Sequence, residues 1–322
     1  MTLRIGLLGA SRIAPKAIIG PANRHGDVII SAIAARDGAI AQAYAHEHGI
    51  AAAVEGYTDL ALRDDVDLIY CALPPAGHLE TCLAALRAGK ALLVEKPFAM
   101  NAEQAQAIAT AAGEAGRPAL EAFHYRFHSM FERALEIVRD GPLGPLVGAE
   151  SLFEAQIPRY PGALRWDPAQ GGGGMMDLGC YPLHALRTLL GQEPELKSAT
   201  AELQDGVDVT MDAELMFAGG LPARLRSSMA GERRDWITVE GRRGTLRLDA
   251  FVAPQNGGKL TLSTARGEHV ETAEGPSTYD AQLAHVVAVM AGEAEPLTGG
   301  EDAVANMTII DAMRRHVGMP VG

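Results

Sequence analysis

The chain opens with Leu3-Arg4-Ile5-Gly6-Leu7-Leu8-Gly9-Ala10-Ser11-Arg12-Ile13-Ala14, an apolar run that ends in a glycine turn. The segment from Leu3 to Leu8 is typical of a buried strand, and the pattern after Ser11 is helical. A strand that closes on a glycine turn and leads into a helix presents backbone N–H groups that suit a pyrophosphate. This stretch therefore predicts the first βαβ unit of a dinucleotide-binding fold.

Strands and helices continue to alternate through the first third of the chain. Further strands are predicted at 28–34, 67–73, 91–95 and 119–123, and helices at 39–48, 77–88 and 102–115. Asn101 and Gln104 have the spacing of a helix N-cap pair. Runs such as LIYCAL and ALLV are apolar throughout, which is typical of parallel strands covered on both faces. We therefore predict a doubly wound parallel sheet in residues 1–123, with its ligand-binding edge at the carboxyl ends of the strands.

After residue 123 the pattern changes to strict alternation, as at Val209, Met211, Ala213, Leu215 and Phe217. Such alternation is typical of strands that bury one face only. Similar short runs recur at 147–157, 221–229, 236–240, 245–248 and 259–263. Residues 124–322 are therefore predicted to form an α+β domain with a large open, mostly antiparallel sheet. The last helix, about 301–316, is expected to pack back on one of the domains.

Composition excludes several classes of protein. The 322 residues carry a net charge of -12 and include 48% hydrophobic residues, which indicates a folded chain without a basic surface for nucleic acid or anionic membranes. The cysteines, Cys71, Cys82 and Cys180, lack metal-ligand spacing and are expected to be reduced thiols. The apolar run at 3–9 is too short for a signal peptide or a membrane span. We expect a cytoplasmic protein that binds a small molecule and no metal.

The second predicted strand ends at Ala35-Arg36-Asp37, where dinucleotide-binding domains recognise the adenosine ribose. A carboxylate at this point suits the ribose hydroxyls of NAD, whereas an arginine suits the 2′-phosphate of NADP. Because Arg36 comes first, the sequence favours NADP. The alternative is NAD, with Arg36 in a solvated loop and Asp37 on the ribose.

Two more strand ends carry polar residues. In Leu73-Pro74-Pro75-Ala76-Gly77-His78, the histidine either lines the cofactor or caps the next helix at the surface. In Glu95-Lys96-Pro97-Phe98, the lysine leaves the carboxyl end of a parallel strand and projects into the crevice, while the proline restricts its backbone. The alternative for Lys96 is an ordinary surface lysine.

A glycine run at 171–174 leads into a segment that contains Asp177, Tyr181 and His184. On one continuous helix these three side chains share a face, but Pro182 predicts that the helix is kinked or begins there. The alternative is a capped helix with half-buried structural side chains. A zinc site would need a third ligand, which the spacing does not supply. His124 and His128 are interpreted as a domain-junction pair.

These motifs together resemble the glucose-fructose oxidoreductase, inositol dehydrogenase and rhizopine catabolism family, written Gfo/Idh/MocA, over essentially the whole chain. The resemblance rests on motifs in family order: the Gly9 turn, Pro74 to His78, Glu95-Lys96-Pro97, 121–128, the glycine run into Asp177-Leu178-Gly179-Cys180-Tyr181, and 306–311. Ser11 in place of a second glycine and Pro75 in place of asparagine depart from the family pattern. The resemblance implies that a second subunit packs on the open sheet.

The family resemblance implies that Lys96, Asp177 and Tyr181 are catalytic, with Tyr181 transferring the proton. Inositol dehydrogenases have histidine at the position of Tyr181. The tyrosine makes this chain resemble the glucose-fructose oxidoreductases and dihydrodiol dehydrogenases, which have tyrosine there. The predicted cofactor-binding residues are Gly9, Ala10, Ser11, Arg12, Ile13, Arg36, Leu73, Pro74, His78, Glu95 and Lys96. The predicted substrate-binding residues are Lys96, Arg126, Asp177, Tyr181 and His184.

The expected function is hydride transfer between NADP(H) and a hydroxyl-bearing carbon of a sugar, cyclic polyol or dihydrodiol, by a homo-oligomer that is expected to be a dimer. One alternative is an NAD-preferring inositol or amino-sugar dehydrogenase. Another is a regulator of the same fold that binds the dinucleotide without turnover. Retention of both Lys96 and Tyr181 argues against the regulator, because a sensor needs neither.

Overall fold

The computed structural model describes residues 2–321, which divide into two compact units. The first comprises residues 2–123 and 282–307, and the second comprises 124–281 and 308–321. The sequence assigned all of 124–322 to the second domain, whereas residues 282–307 lie in the first unit. They pack on its last strand: the Thr298 hydroxyl donates to the Glu121 carbonyl at 2.7 Å, and Gly299 lies against the Ala119 backbone.

A six-stranded parallel sheet forms the first unit, in the order β3-β2-β1-β4-β5-β6. Its strands are β1 (Leu3–Leu8), β2 (Val28–Ala35), β3 (Ala52–Glu55), β4 (Leu68–Cys71), β5 (Ala91–Val94) and β6 (Ala119–Glu121). Every residue of β4 and β5 is buried, as strands covered on both faces require. The predicted doubly wound parallel sheet is therefore confirmed, with β3 as a strand that the sequence pattern did not reveal.

Helices connect these strands. They are α1 (Gly20–Arg24), α2 (Gly38–His48), α3 (Tyr57–Ala61), α4 (His78–Arg87) and α5 (Ala102–Ala115), with a π-helical turn at Pro15–Ile19 ahead of α1. The predicted cap of α5 is present, since the Asn101 side chain accepts the Gln104 N–H at 2.8 Å. In a capping box the Gln104 side chain would accept the N–H of Asn101. Here it accepts the N–H of the preceding residue, Met100, at 3.3 Å.

An eight-stranded sheet forms the second unit, in the order β14-β13-β12-β11-β7-β10-β9-β8. Its strands are β7 (Leu146–Glu154), β8 (Glu195–Gln204), β9 (Val207–Phe217), β10 (Leu221–Ser228), β11 (Arg234–Gly241), β12 (Gly244–Asp249), β13 (Lys259–Thr264) and β14 (Gly267–Thr272). All neighbours are antiparallel except β7 and β10. The predicted large, mostly antiparallel sheet is confirmed.

Two helices of the second unit, α6 (Ser129–Asp140) and α7 (Cys180–Leu190), pack on this sheet. The face that α7 covers carries Phe153, whose ring centroid lies 5.7 Å from that of Tyr181, and the register places Met211 and Leu215 on the same face. The apolar face is therefore covered from within the chain. The opposite face carries charged and polar side chains together with Trp236.

The last two helices, α8 (Thr278–Met290) and α9 (Glu301–His316), each begin in one unit and end in the other. The bounds of α9 agree with those predicted for the last helix. Within residues 2–321, no helix combines the length and the apolar character that crossing a membrane would require.

Candidate active site

The turn after β1 has a backbone suited to a dinucleotide phosphate. Gly9 has φ +96°, and a Cβ there would lie 3.0 Å from Leu73 Cδ2. Ser11, which replaces the second glycine, accepts the Ala14 N–H through Oγ at 3.2 Å, and the Tyr44 hydroxyl donates to the Ser11 carbonyl at 2.9 Å. These contacts fix the turn while 10–13 stay at least partly exposed, so a pyrophosphate would fit against its backbone.

Arg36 and Asp37 follow β2, and both are exposed. The Asp37 Oδ1 caps α2 by accepting the N–H groups of Ala39 at 2.8 Å and Ile40 at 3.1 Å. The helix therefore already engages the carboxylate that the NAD alternative would use on a ribose. Arg36, the residue before it, is exposed, and an arginine side chain suits a phosphate.

His78 is fully buried at the start of α4, in contrast to the alternative of a helix cap at the surface. Its Nε2 lies 2.9 Å from the Leu73 carbonyl oxygen and its Nδ1 lies 3.1 Å from the Phe98 carbonyl oxygen. Both partners are backbone carbonyl groups, one in each of two loops. The side chain therefore joins the loop after β4 to the loop after β5, and the cofactor contact of His78 stays a prediction.

Glu95 and Lys96 leave the carboxyl end of β5. The Tyr70 hydroxyl, on the neighbouring β4, donates to Glu95 Oε1 at 2.5 Å. Burial raises the pKa of Glu95, while the Tyr70 hydrogen bond and the charges of Lys96 and His78 oppose that rise. Lys96 is half-buried and precedes a cis peptide bond to Pro97. Because β1, β4 and β5 are adjacent and parallel, the Gly9 turn, Leu73 and Lys96 lie at one edge of the sheet.

In the second unit, the glycine run at 171–174 lies against two other segments. A Cβ on Gly172 would lie 2.7 Å from the Arg165 carbonyl oxygen, and one on Gly173 would overlap Asp208 Oδ1. Oδ2 of the buried Asp208 accepts the Met175 N–H at 2.6 Å. Burial raises the pKa of Asp208 to about 6. The glycines therefore allow a close approach that fixes the turn bearing Asp177.

A π-helical turn, Met175–Gly179, leads directly into α7, so the helix neither stops nor starts at Pro182. Pro182 lacks the N–H that would bond the fourth residue before it, and the widened turn lies just ahead of it. The distortion that the sequence predicted is thus a π-helical turn. It contains Asp177, whereas Tyr181 and His184 lie in α7.

Asp177 forms an ion pair with Arg165, whose Nε lies 2.6 Å from Asp177 Oδ2. The Asp177 side chain is 13% exposed and that of Arg165 is 60% exposed. The Asp177 carboxylate raises the pKa of Arg165, and Tyr160 and Tyr181 raise it further. The arginine therefore acts electrostatically on both Asp177 and Tyr181.

Tyr181 is buried among aromatic rings and meets His124. Its hydroxyl lies 3.4 Å from His124 Nε2, and His124 Nδ1 lies 2.8 Å from Thr278 Oγ1. A second pair lies beside the first, since the Tyr125 hydroxyl is 2.5 Å from His184 Nδ1. The two tyrosine rings are 6.0 Å apart between centroids. Each of the two predicted proton carriers, Tyr181 and His184, is therefore paired with another side chain.

The structure gathers the predicted residues in two groups, one in each unit: the Gly9 turn with Leu73 and Lys96, and Asp177 with Tyr181. Arg126 is half-buried, with Cζ 5.9 Å from the Phe131 ring centroid, and its substrate contact stays a prediction. Sequence reasoning did not select Arg165, because irregular loops carry no period. The available signal was its position shortly before the glycine run. Within residues 2–321, no three His, Cys, Asp or Glu side chains cluster as metal ligands would.

A dinucleotide-binding sheet edge with a lysine, together with a carboxylate, an arginine and a tyrosine in the second unit, defines a nicotinamide-dependent oxidoreductase. Residues 3–123 match the family model described as an oxidoreductase family with an NAD-binding Rossmann fold, and residues 131–247 match the GFO/IDH/MocA C-terminal domain. The chain is 35% identical over 315 residues to D-xylose 1-dehydrogenase (NADP(+)) 2 of Haloferax volcanii, covering 97% of this chain and 96% of the relative.

Two solved structures are similar over nearly the whole chain. Aldose-aldose oxidoreductase from Caulobacter crescentus, complexed with glycerol, has a TM-score of 0.90 and 25% identity, covering 98% of this chain and 97% of that one. A 3-ketoreductase from Actinomadura kijaniata, complexed with NADP and TDP-benzene, has a TM-score of 0.89 and 26% identity, covering 98% of both chains. The chain belongs to the Gfo/Idh/MocA family of NAD(P)-binding oxidoreductases, which confirms the family that its motifs resemble.

Proposed function

We propose that the protein catalyses reversible hydride transfer between NADP(H) and a hydroxyl-bearing carbon of a sugar or cyclic polyol. The observation that carries this proposal is Tyr181 beside the Asp177–Arg165 ion pair, in a chain whose other unit carries Lys96 at a dinucleotide-binding edge. The relatives described above, named as a xylose dehydrogenase and an aldose-aldose oxidoreductase, support a sugar-sized substrate.

The preference for NADP rests on Arg36 and Asp37. Asp37 already caps α2 through Oδ1, and Arg36 is exposed at the position where a 2′-phosphate would bind. The backbone of the Gly9 turn would hold the pyrophosphate. When bound, the cofactor supplies the carbon that accepts or gives the hydride.

The protein's own residues supply proton transfer and orientation. When a hydride leaves a carbinol carbon, the hydroxyl proton must leave as well, and we assign its acceptance to the Tyr181 phenolate, which becomes the neutral phenol. The ammonium of Lys96 is assigned to stabilising the developing alkoxide. Asp177, held by Arg165, is assigned to orienting the substrate hydroxyl.

Two alternatives have less support. An NAD-preferring inositol or amino-sugar dehydrogenase would use Asp37 on the ribose, but that carboxylate caps α2. A regulator that only binds the dinucleotide would need no proton carrier, yet Lys96 and Tyr181 are both present.

We further propose that residues 1–123 bind the cofactor and 124–322 the substrate, in a cytoplasmic homodimer. The outer face of the eight-stranded sheet is the proposed interface. On it, Arg226 Nη1 lies 2.5 Å from Asp212 Oδ2, and the Arg247 guanidinium lies 4.5 Å from the Trp236 ring centroid. Tryptophan and arginine are enriched at protein interfaces. Three buried cysteine thiols support a reducing compartment.

A substrate screen tests the reaction. The purified protein is incubated with aldoses, inositols and deoxysugars, each with NADP or NAD, and reduction is followed by nicotinamide absorbance. We expect turnover of a sugar or polyol with NADP, and loss of that turnover in Lys96→Met. Turnover that depends on NAD alone would contradict the cofactor preference. Cofactor binding without turnover of any compound, in either direction, would favour the regulator.

A further inference from the structure

His124 joins Tyr181 to a buried hydroxyl, that of Thr278. It begins a short 3-10 segment, His124–Phe127, and is 5% exposed. Its ring is fixed on two sides: Nδ1 meets Thr278 Oγ1 at 2.8 Å, and the ring lies 4.1 Å from that of Tyr279 between centroids, tilted by 34°. Nε2 therefore points at the Tyr181 hydroxyl from a preset direction.

The Thr278 hydroxyl is the hydrogen-bond partner of His124 Nδ1. Thr278 is fully buried, and its Oγ1 accepts an N–H from Gln255 Nε2 at 3.5 Å. The same oxygen lies 2.8 Å from His124 Nδ1, to which its hydroxyl can donate. A neutral imidazole that accepts at Nδ1 carries its proton on Nε2. In this tautomer the Tyr181 oxygen faces an N–H donor.

We propose that His124 is a positioning residue that stabilises the deprotonated form of Tyr181 by donating its Nε2–H to the phenolate oxygen. This inference rests on the proposed role of Tyr181 as proton carrier. The contact of 3.4 Å is long for the neutral phenol. It strengthens when the oxygen becomes charged, because hydrogen bonds to ionised acceptors are shorter and about twice as strong. The interaction therefore favours the step in which Tyr181 has lost its proton.

Other charged or titratable groups also surround Tyr181. Arg165 interacts with it electrostatically from the loop before the glycine run, next to Asp177. Tyr125, in the 3-10 segment, lies next to Tyr181 and forms a hydrogen bond with His184 in α7. These groups are unchanged when His124 or Thr278 is substituted, so the two substitutions isolate the contribution of the His124 donor.

The test compares His124→Phe with His124→Gln. Phenylalanine keeps a planar ring against Tyr279 but has no donor, whereas glutamine places an amide Nε2 donor near the position of the imidazole Nε2. For alcohol oxidation we expect His124→Phe to move the acid limb of the kcat pH profile upward by about one to two pH units. KM and the dissociation constant of NADP should change less than about threefold. His124→Gln should restore most of the profile.

A spectroscopic titration gives a readout that does not need a substrate. The ultraviolet phenolate signal of Tyr181 is obtained as the difference between the wild type and Tyr181→Phe. In His124→Phe this signal should appear at higher pH. Thr278→Val removes the hydroxyl that contacts His124 Nδ1, and it should raise the pH at which the phenolate signal appears by a smaller amount. If His124→Phe does not fold, the titration of Thr278→Val tests the role of His124.

The two failures are distinguishable. If Tyr181→Phe turns over normally, the proposed role of Tyr181 is wrong. If Tyr181→Phe loses turnover but His124→Phe and Thr278→Val leave both the profile and the titration unmoved, the role of His124 is wrong. A uniform loss of activity at every pH in both His124 variants would show a structural role only and would also overturn the inference.

Discussion

The guanidinium of Arg165 lies 2.6 Å from the carboxylate of Asp177, at the start of the helix that carries Tyr181. This arginine belongs to an irregular loop, yet its charge reaches both the carboxylate and the phenol. The pair links the glycine run to the proposed chemistry, since Gly172 packs on the Arg165 backbone and the run ends one residue before the π-helical turn with Asp177.

Arg165→Gln should weaken substrate binding more than turnover. The Asp177 carboxylate would lose its orienting partner, but the arginine side chain is 60% exposed, so the effect is limited to about 1 kcal/mol, or roughly fivefold in KM. Steady-state kinetics measures it. The matched control is Arg159→Gln, which removes an exposed arginine paired with the exposed Asp205. Equal effects in both variants would show that the Asp177 contact has no special role.

Arg36→Ala should weaken NADP binding selectively. A charge-assisted arginine–phosphate contact contributes about 1.5 to 3 kcal/mol, so the NADP dissociation constant should rise tenfold or more while that of NAD barely changes. Asp37→Ala should instead cost about 1 kcal/mol of stability through loss of the α2 cap, with the NADP preference retained. Calorimetric titration with both cofactors decides the matter, and a parallel loss for both in Arg36→Ala would contradict the phosphate contact.

Asp208→Asn should alter how stability depends on pH. Burial raises the pKa of Asp208 from its ordinary value of 3.8 to about 6, so between those values the folded state binds a proton that the unfolded chain does not. The free energy of unfolding therefore falls as pH rises through this window, by up to about 3 kcal/mol. Asparagine can still accept the Met175 N–H and does not titrate, so the stability of the variant relative to the wild type should be higher at about pH 8 than at about pH 5.

Urea unfolding at the two pH values measures this difference. The control is Asp27→Asn, which makes the same substitution at an exposed aspartate. A wild type and an Asp208→Asn variant with the same pH dependence would show that burial does not perturb Asp208.

Trp236→Glu should dissociate the proposed dimer. Trp236 lies on the outer face of the sheet beneath Arg247, and a buried carboxylate at an interface carries a large desolvation penalty. Light scattering at micromolar concentration should change from the dimer mass to about half of it. The control is Leu62→Glu, at an apolar side chain that is 68% exposed in the first unit. A wild-type mass of one chain would contradict the dimer.

Most of the fold follows from periodicity. Apolar runs such as β5 and alternating runs such as β9 are long enough to be recognised, and α9 begins and ends where its pattern predicts. Short or weakly patterned elements were missed: β3 has four residues with alternate side chains only half-buried, and in β14 no residue is buried. The segment 282–307 joins the first unit through contacts that have no sequence period.

The candidate site was predictable only in part. Lys96 and Tyr181 follow from motif position, because a strand end and a helix spacing fix where such residues lie. The role of His78 was not predictable, because its burial depends on two carbonyl groups contributed by separate loops. Arg165 contacts Asp177, 12 residues further along the chain, and Thr278 contacts His124, 154 residues before it. No local sequence pattern predicts contacts of this kind.

The kinetics of Tyr181→Phe test the central claim most directly. If Tyr181 carries the proton, kcat should fall by about two to four orders of magnitude while NADP still binds, and His184→Ala should lose much less. Lys96→Met should fall similarly to Tyr181→Phe, and Asp177→Asn should lose more in substrate affinity than in turnover. Near-normal turnover in Tyr181→Phe, with collapse in His184→Ala, would contradict the account and assign the proton to His184.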